Sequence, residues 1–151
     1  VVRLFTPQQN IRAEVERYVA RARAGSDLLV GLHVRRGDYA TWLGGRFYYG
    51  LDAYADWLKA AGSLWPERKV SFVVCSNENV DELLGLPGIR ASVGPGAPIT
   101  DLYSLAACDF LIGPPSTFTL WASYYGGAPL HMLMEKDQTL HLEGFAHHNR
   151  F

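Results

Sequence analysis

Two adjacent arginines, Arg35 and Arg36, follow an apolar run that has the pattern of a buried strand. A guanidinium carries planar donors that match phosphate oxygens two at a time, so this pair is suited to a diphosphate. Asp38 stands three residues after Arg35, where its carboxylate can orient the guanidinium. The alternative is a surface salt-bridge cluster with no ligand. His33, in the same segment, is either a strand histidine with its hydrogen bonds satisfied or a direct ligand contact.

A second segment, Ser116-Thr117, follows a glycine-containing turn and opens a predicted helix. The free N–H groups and the dipole at the start of a helix favour an anion, and two hydroxyls add further donors. An ordinary serine N-cap is the alternative, and on its own it is the commoner case.

Short polar side chains follow another apolar run at Ser76 and Asn77, and they suit a ribose or the edge of a base. Asp101 opens a further predicted helix. Its carboxylate can pair with the N1–H and 2-amino groups of guanine, although aspartate is also a routine helix-start residue.

Other familiar sites are not expected. The histidines near the end of the chain, His141, His147 and His148, have no cysteine or carboxylate at ligand spacing, so no metal site is predicted. The glycine-rich motifs of dinucleotide and Walker-type ATP sites are absent from the sequence. Cys75 and Cys108 lie in apolar segments and are expected to be core thiols.

The elements that must position these residues alternate between strand and helix. The predicted strands are continuous apolar runs, which is typical of strands covered on both faces; they are Leu28–Val34, Val70–Cys75, Phe110–Ile112 and Leu130–Met134. This pattern predicts an α/β fold, an open, doubly wound, mostly parallel sheet with helices on both faces. Ligands of such sheets bind at the carboxyl ends of the strands, where the polar segments stand.

Helix starts are predicted from capping signals. Thr6-Pro7 has the pattern of an N-cap followed by proline at the first helical position, and Gly25 is expected to end that helix. Thr100 is expected to cap a helix from Asp101 to Ala107.

Length and composition limit the functions that the chain can have. The 151 residues are predicted to form a single domain, 1–151. The net charge of −1 argues against non-specific nucleic-acid binding, and no apolar run reaches the roughly 18 residues of a membrane span. Eleven of the fourteen basic residues are arginine, which makes their positions informative.

Three segments carry a resemblance to a known family. HVRRGDY at 33–39, FVVCSNE at 72–78 and the run TDLYSLAACDFLIGPPSTFTLWASYYGG at 100–127 resemble the three motif regions of the α-1,2-fucosyltransferases. The chain is more distantly similar to the α-1,6- and protein O-fucosyltransferases. The resemblance implies the Rossmann-like, C-terminal half of a two-domain GT-B glycosyltransferase. Such a domain binds GDP-fucose, and the transfer inverts the anomeric carbon without a metal or a cofactor.

The resemblance also implies roles for individual residues. Arg36 would hold the β-phosphate as GDP leaves, while Arg35 and Asp38 support that loop. The donor-binding positions would be His33 (through its backbone) and Gly37 in the first motif, Ser76 and Asn77 near the nucleoside, Asp101 on guanine, and Ser116, Thr117 and Phe118 closing on the diphosphate.

The expected function is therefore fucosyl transfer from GDP-fucose to the hydroxyl of a glycan acceptor. A domain that faces the acceptor is expected on an N-terminal segment or a partner chain, and an exposed apolar face could make the chain a homo-oligomer. The alternative is a non-catalytic module that binds nucleotide sugars or polyanions. For a bacterial protein the expected compartment is the cytoplasm, with a peripheral position at the membrane as the alternative. For a eukaryotic protein it is the Golgi or ER lumen.

Overall fold

A computed structural model describes residues 2–148. This part of the chain forms one six-stranded sheet in the order β3-β2-β1-β4-β5-β6. All strand pairs are parallel except β5 with β6. The strands are β1 (Leu28–Val34), β2 (Val70–Ser76), β3 (Arg90–Val93), β4 (Phe110–Gly113), β5 (Leu130–Met132) and β6 (Phe145–Ala146). The predicted open, mostly parallel α/β sheet is confirmed.

Helices cover both faces of the sheet. They are α1 (Gln9–Arg23), α2 (Leu51–Gly62), α3 (Asp81–Leu84), α4 (Pro98–Ala106) and α5 (Thr117–Gly126). Side chains of α1, α4 and α5 pack on one face, and those of α2 and α3 pack on the other. All seven residues of β1 are buried, because this central strand is covered on both faces.

Several predicted boundaries were wrong. Helix α1 begins at Gln9 with Gln8 as its N-cap, so Thr6-Pro7 lies before the helix. Helix α4 begins at Pro98 with Ala97 as its N-cap, and proline stands at the first helical position. Thr100 lies inside α4, where its hydroxyl donates to the Ala97 carbonyl. The last predicted strand ends at Met132 rather than Met134.

A short antiparallel strand, β6, completes the edge of the sheet. It pairs Phe145 with His131 of β5, and the Phe145 ring packs against Phe110 and Trp65. The sequence analysis did not predict β6, because two residues carry no periodicity.

The topology opens a crevice beside β1. Chain connections leave β1 toward β2 on one side, and the later β4 lies on its other side. The order of the strands therefore reverses next to β1, and ligands of such sheets bind at the carboxyl ends of the strands beside this point. His33, Arg35 and the Ser116-Thr117 segment all stand at this edge.

Candidate functional site

Two clefts lie at the carboxyl edge of the sheet. The nucleoside cleft, so named here after the ligand that the sequence analysis predicts for its residues, has a volume of about 440 Å³. Its lining residues come from the ends of β1 and β2 and from the starts of α4 and α5: His33, Arg35, Cys75, Ser76, Asn77, Glu78, Asn79, Gly96, Pro98, Asp101 and Phe118. The structure thus gathers six of the predicted donor-binding or catalytic residues at one cleft.

A second cleft adjoins the first, and we call it the aromatic cleft. Its volume is about 540 Å³, and its lining is Arg35, Asp38, Tyr39, Trp42, Pro115, Ser116, Thr117, Phe118 and Leu120. Arg35 and Phe118 line both clefts, so they mark the border between the two.

His33 is held neutral in the wall of the nucleoside cleft. Its side chain is 4% exposed, its Nδ1 is hydrogen-bonded to the Thr119 hydroxyl, and its ring lies 4.9 Å from that of Phe118. Burial, assisted by the charge of Arg35, lowers the pKa of His33 to about 3. A neutral imidazole here leaves the positive charge in the lining of this cleft to Arg35.

Asp101 is a buried carboxylate in the lining of the same cleft. Its Oδ1 accepts the Gly96 N–H at 2.8 Å, which ties the first turn of α4 to the preceding loop. Burial raises the pKa of Asp101, and the Gly96 hydrogen bond opposes that rise. Glycine at position 94 leaves room for this carboxylate, since a Cβ there would lie 2.7 Å from Asp101 Oδ1.

The Arg35 guanidinium is oriented by Asp38. Arg35 Nη2 donates to Asp38 Oδ2 at 2.9 Å, and the guanidinium lies 5.6 Å from the centre of the Tyr39 ring. Asp38 therefore pairs with Arg35, as the sequence spacing indicated. A carboxylate in an ion pair is better suited to orienting a cation than to taking a proton.

The Arg36 guanidinium takes a different direction. Its Nη2 donates to the Tyr48 hydroxyl at 2.7 Å, its Nε lies 3.6 Å from Glu78 Oε2, and it lies 5.1 Å from the centre of the Tyr48 ring. The hydrogen bond to Tyr48 is the main cause that raises the pKa of Arg36. Arg36 is not among the lining residues of either cleft.

Asn77 joins the loops that follow β1 and β2. Its Oδ1 accepts the Arg36 N–H at 3.2 Å, and its Nδ2 donates to the Arg36 carbonyl at 3.4 Å. Gly37 permits this contact, because its φ is +58° and a Cβ there would lie 2.8 Å from Asn77 Nδ2. The amide of Asn77 thus fixes the backbone of the Arg35-Arg36 loop.

The predicted anion segment forms the start of α5. Ser116 is the N-cap, and its hydroxyl accepts the Phe118 N–H at 3.2 Å. Thr117 is the first residue of the helix, and both line the aromatic cleft. The Tyr39 hydroxyl donates to the Pro115 carbonyl at 2.6 Å and holds this turn against the loop after β1.

Several residues of the site were not predicted. Glu78 was noted only as part of a polar segment, and Trp42 and Tyr48 lie in a loop that has no regular pattern. Thr119 was missed because it lies within the first turn of α5, and only the fold brings it to His33. The sole local signal was the aromatic content of the loop from 39 to 49.

Within residues 2–148, no group of three or more histidine, cysteine or acidic side chains is placed to hold a metal ion. His141 packs on His131 of β5, 5.4 Å between ring centres, and lines neither cleft. Across the described range, no helix combines the length and apolar character of a membrane-spanning helix.

Sequence comparisons find fucosyltransferases. The chain is 31% identical over 144 residues to rabbit (Oryctolagus cuniculus) galactoside alpha-(1,2)-fucosyltransferase 2, a match that covers 84% of this chain and 39% of the relative. It is 32% identical over 142 residues to galactoside alpha-(1,2)-fucosyltransferase 1 of Bos taurus, covering 82% and 38%. The chain thus spans about two fifths of the length of these curated relatives.

Solved structures of similar fold are also fucosyltransferases. NodZ alpha-1,6-fucosyltransferase, in crystals soaked with GDP-fucose, superposes with a TM-score of 0.60 at 23% identity, covering 83% of this chain and 44% of NodZ. Arabidopsis thaliana FUT1 (mutant R284K, in complex with GDP) has a TM-score of 0.60 at 19% identity, with 94% and 36% covered. These likenesses confirm the fold.

A family profile also matches most of the chain. It extends over residues 4–139, which include both clefts and all three motif regions of the sequence. Together with the α-1,2-fucosyltransferase relatives, this match confirms the resemblance seen in the motifs: the chain belongs to glycosyl transferase family 11.

Proposed function

We propose that this chain is the donor-binding part of an enzyme that transfers fucose from GDP-fucose to a hydroxyl of a glycan. One observation carries the proposal most directly: Arg35, Asp101 and Ser76 line one cleft at the carboxyl edge of a doubly wound sheet. Those three groups supply a phosphate partner, a guanine partner and a ribose partner. Membership of family 11 and the GDP-fucose in the NodZ crystals support the choice of nucleotide sugar.

The nucleoside occupies the nucleoside cleft. Asp101 accepts the N1–H and 2-amino groups of guanine, a pairing that uracil cannot make with the same geometry. Ser76 lines this cleft and is placed for the ribose hydroxyls. Asn77 contributes indirectly, because its amide is already bonded to the Arg36 backbone.

The diphosphate lies at the border of the two clefts, beside Arg35 and the start of α5. Arg35 is our candidate for the β-phosphate contact, since it lines both clefts and its orientation is set by Asp38. We assign Arg36 a supporting role, because its guanidinium is bound to Tyr48 and Glu78. This assignment exchanges the two roles that the sequence resemblance implied.

The reaction is an inverting displacement. The oxygen of the acceptor hydroxyl forms a bond to the anomeric carbon on the face opposite GDP, and the bond from that carbon to the β-phosphate oxygen breaks. The electron pair of the broken bond goes to GDP, whose added charge is balanced by Arg35 and the N–H groups of α5. The acceptor proton leaves to a base on the acceptor side. With this fixed positive charge at the leaving group, we propose a metal-independent transfer.

Nucleotide selectivity tests the donor site. We expect Asp101→Asn to reduce the preference for GDP over UDP by about 10- to 100-fold in calorimetry, since a charged hydrogen-bond partner contributes about 1.5–3 kcal/mol. Asp56→Asn is the matched control, because Asp56 is 80% exposed on α2, away from both clefts. A wild-type protein that binds GDP and UDP equally would contradict the guanine assignment.

Turnover tests the role of charge. We expect Arg35→Ala in the native protein to lower the rate of fucosyl transfer by about 10²–10³, the usual effect of removing one preorganised charge contact. Arg12→Ala, on the exposed face of α1, should transfer at the wild-type rate. Turnover of Arg35→Ala within a few-fold of wild type would refute the assignment. Tight GDP-fucose binding with no transfer to any glycan would instead favour the non-catalytic module.

A further inference from the structure

We propose that the aromatic cleft holds a pyranose ring against the face of Trp42, next to the diphosphate. This inference rests on the proposed function and adds to it a sugar subsite built by the chain itself. The pyranose belongs either to the fucosyl group of the donor or to the acceptor glycan, and both have the same recognition chemistry.

Trp42 is an exposed aromatic side chain with a fixed plane. It is 42% exposed and lines the cleft, while its ring lies 4.8 Å from Tyr39 and 5.8 Å from Phe47. Tyr39 is in turn anchored through its hydroxyl to the Pro115 carbonyl. Trp42 therefore presents a rigid apolar surface to the cleft, and the C–H groups on one face of a pyranose pack well on such a surface.

The backbone beside Trp42 is strained. Leu43 has φ +48° and ψ +39°, and it is followed by Gly44 at φ +67° and Gly45 at φ +77°. A left-handed conformation is unfavourable for leucine, and its side chain is 62% exposed, so core packing does not account for it. Strain of this kind concentrates at binding sites, where it fixes a side chain in position. Here the tight turn directs the chain away immediately after Trp42.

Polar groups around the ring suit sugar hydroxyls. The Asp38 side chain is 59% exposed, so its carboxylate can accept from hydroxyl groups while it remains paired with Arg35. Ser116 and Thr117, which carry hydroxyl groups, also line this cleft. An apolar face combined with a carboxylate and hydroxyls fits a pyranose better than a lipid chain or a polyanion.

The position of the cleft agrees with this ligand. Arg35 stands at the border of the nucleoside cleft and the aromatic cleft, and the proposed diphosphate lies beside it. A sugar joined to the β-phosphate, or a hydroxyl that approaches it, must then lie on the side of Arg35 away from Asp101. That side is the aromatic cleft.

The test compares Trp42→Ala, Trp42→Leu and Trp42→Phe with wild type. Leu142→Ala is the control, because Leu142 is exposed to a similar degree but lies next to β6, away from both clefts. Leucine keeps apolar bulk against Tyr39 and removes only the flat face, so Trp42→Leu decides the question if Trp42→Ala does not fold. Each protein is titrated with GDP and with GDP-fucose, and transfer is measured against a β-galactoside such as lactose.

We expect GDP affinity within about twofold of wild type in all four variants, and a loss of about tenfold or more in one sugar-dependent step for Trp42→Ala and Trp42→Leu. Weaker binding of GDP-fucose but not of GDP would place the donor sugar on Trp42. A higher KM for lactose with unchanged GDP-fucose binding would place the acceptor there. Trp42→Phe should keep most of the wild-type affinity or transfer rate in that step, because phenylalanine retains a flat aromatic ring. Wild-type values in every sugar-dependent step would overturn the proposal.

A failure of the proposed function has a separate signature, which is a wild-type protein that does not bind GDP. The subsite is then decided by saturation-transfer NMR with lactose and with methyl fucoside alone. A signal in wild type that Trp42→Leu abolishes would support the pyranose site, and no signal in wild type would overturn it.

Discussion

The neutral state of His33 makes a quantitative prediction about stability at low pH. His33 is buried beside Thr119, and its pKa falls from the ordinary 6.5 to about 3. Below about pH 6.5, His33 is therefore protonated in the unfolded chain but stays neutral in the folded protein. Protonation of the unfolded chain lowers the free energy of unfolding as the pH decreases through this window.

The size of the effect follows from the two pKa values of His33. One proton bound only by the unfolded chain changes the free energy of unfolding by about 1.4 kcal/mol per pH unit. Between pH 7 and pH 5, His33 alone should lower the stability by about 2 kcal/mol. This is a large share of the roughly 5–15 kcal/mol that stabilises a typical domain.

The assay is urea unfolding of wild type and His33→Gln at several pH values between 7 and 5. His131 also has a lowered pKa, through burial and the nearby His141, but it is present in both proteins, so the difference between the two curves isolates His33. We expect the stability difference to change by about 2 kcal/mol across this range, in favour of the variant at the lower pH. Parallel curves for the two proteins would refute a neutral, buried His33.

Three further substitutions have definite expected outcomes. Gly37→Ala should lower the free energy of unfolding by about 1–2 kcal/mol from its positive φ alone. Gly88→Ala, with φ +74° and open space around it, is the control that measures this backbone cost. Any further loss of stability in Gly37→Ala measures the collision with Asn77. Gly126→Ala should lower the urea midpoint strongly, because a Cβ there would lie 1.8 Å from the Ala106 carbonyl oxygen. Gly85→Ala, which has open space around it, should leave the midpoint nearly unchanged. Similar midpoints for the two variants would contradict the close approach of α4 and α5. Tyr48→Phe should leave the urea midpoint unchanged within error, since Tyr48 is exposed. It should slow fucosyl transfer several-fold in a kinetic assay, because the Arg36 guanidinium loses its hydrogen bond to Tyr48. An unchanged rate would show that this contact has no functional effect.

The sheet was predictable because its central strands are continuous apolar runs. Leu28–Val34 matched β1 at both ends, and the predicted Val70–Cys75 fell one residue short of the end of β2. Helix starts were less accurate. Thr6-Pro7 and Thr100 carry good capping residues, but the chain begins its helices where packing on the sheet allows, at Gln9 and Pro98. Capping contributes only about 1 kcal/mol, which tertiary packing overrides.

The site was predictable where a residue follows directly from a strand. The positions of Arg35 and Ser76 depend only on the ends of β1 and β2, and the topology brings them to one edge. The different directions of Arg35 and Arg36 were not predictable, because they depend on distant partners, Tyr48 and Glu78. No local pattern encodes a contact between side chains that are 12 or 42 positions apart.

The contact between Asn77 and the Arg36 backbone has a consequence for how this protein can evolve or be recombined. The amide of Asn77 fills the space that a β-carbon at position 37 would need, so these two positions constrain each other's mutations. A chimera that takes its first motif from one relative and its second from another inherits both halves of this contact only by chance. Crossover points placed before residue 33 or after residue 78 should therefore yield working hybrids more often than points between them.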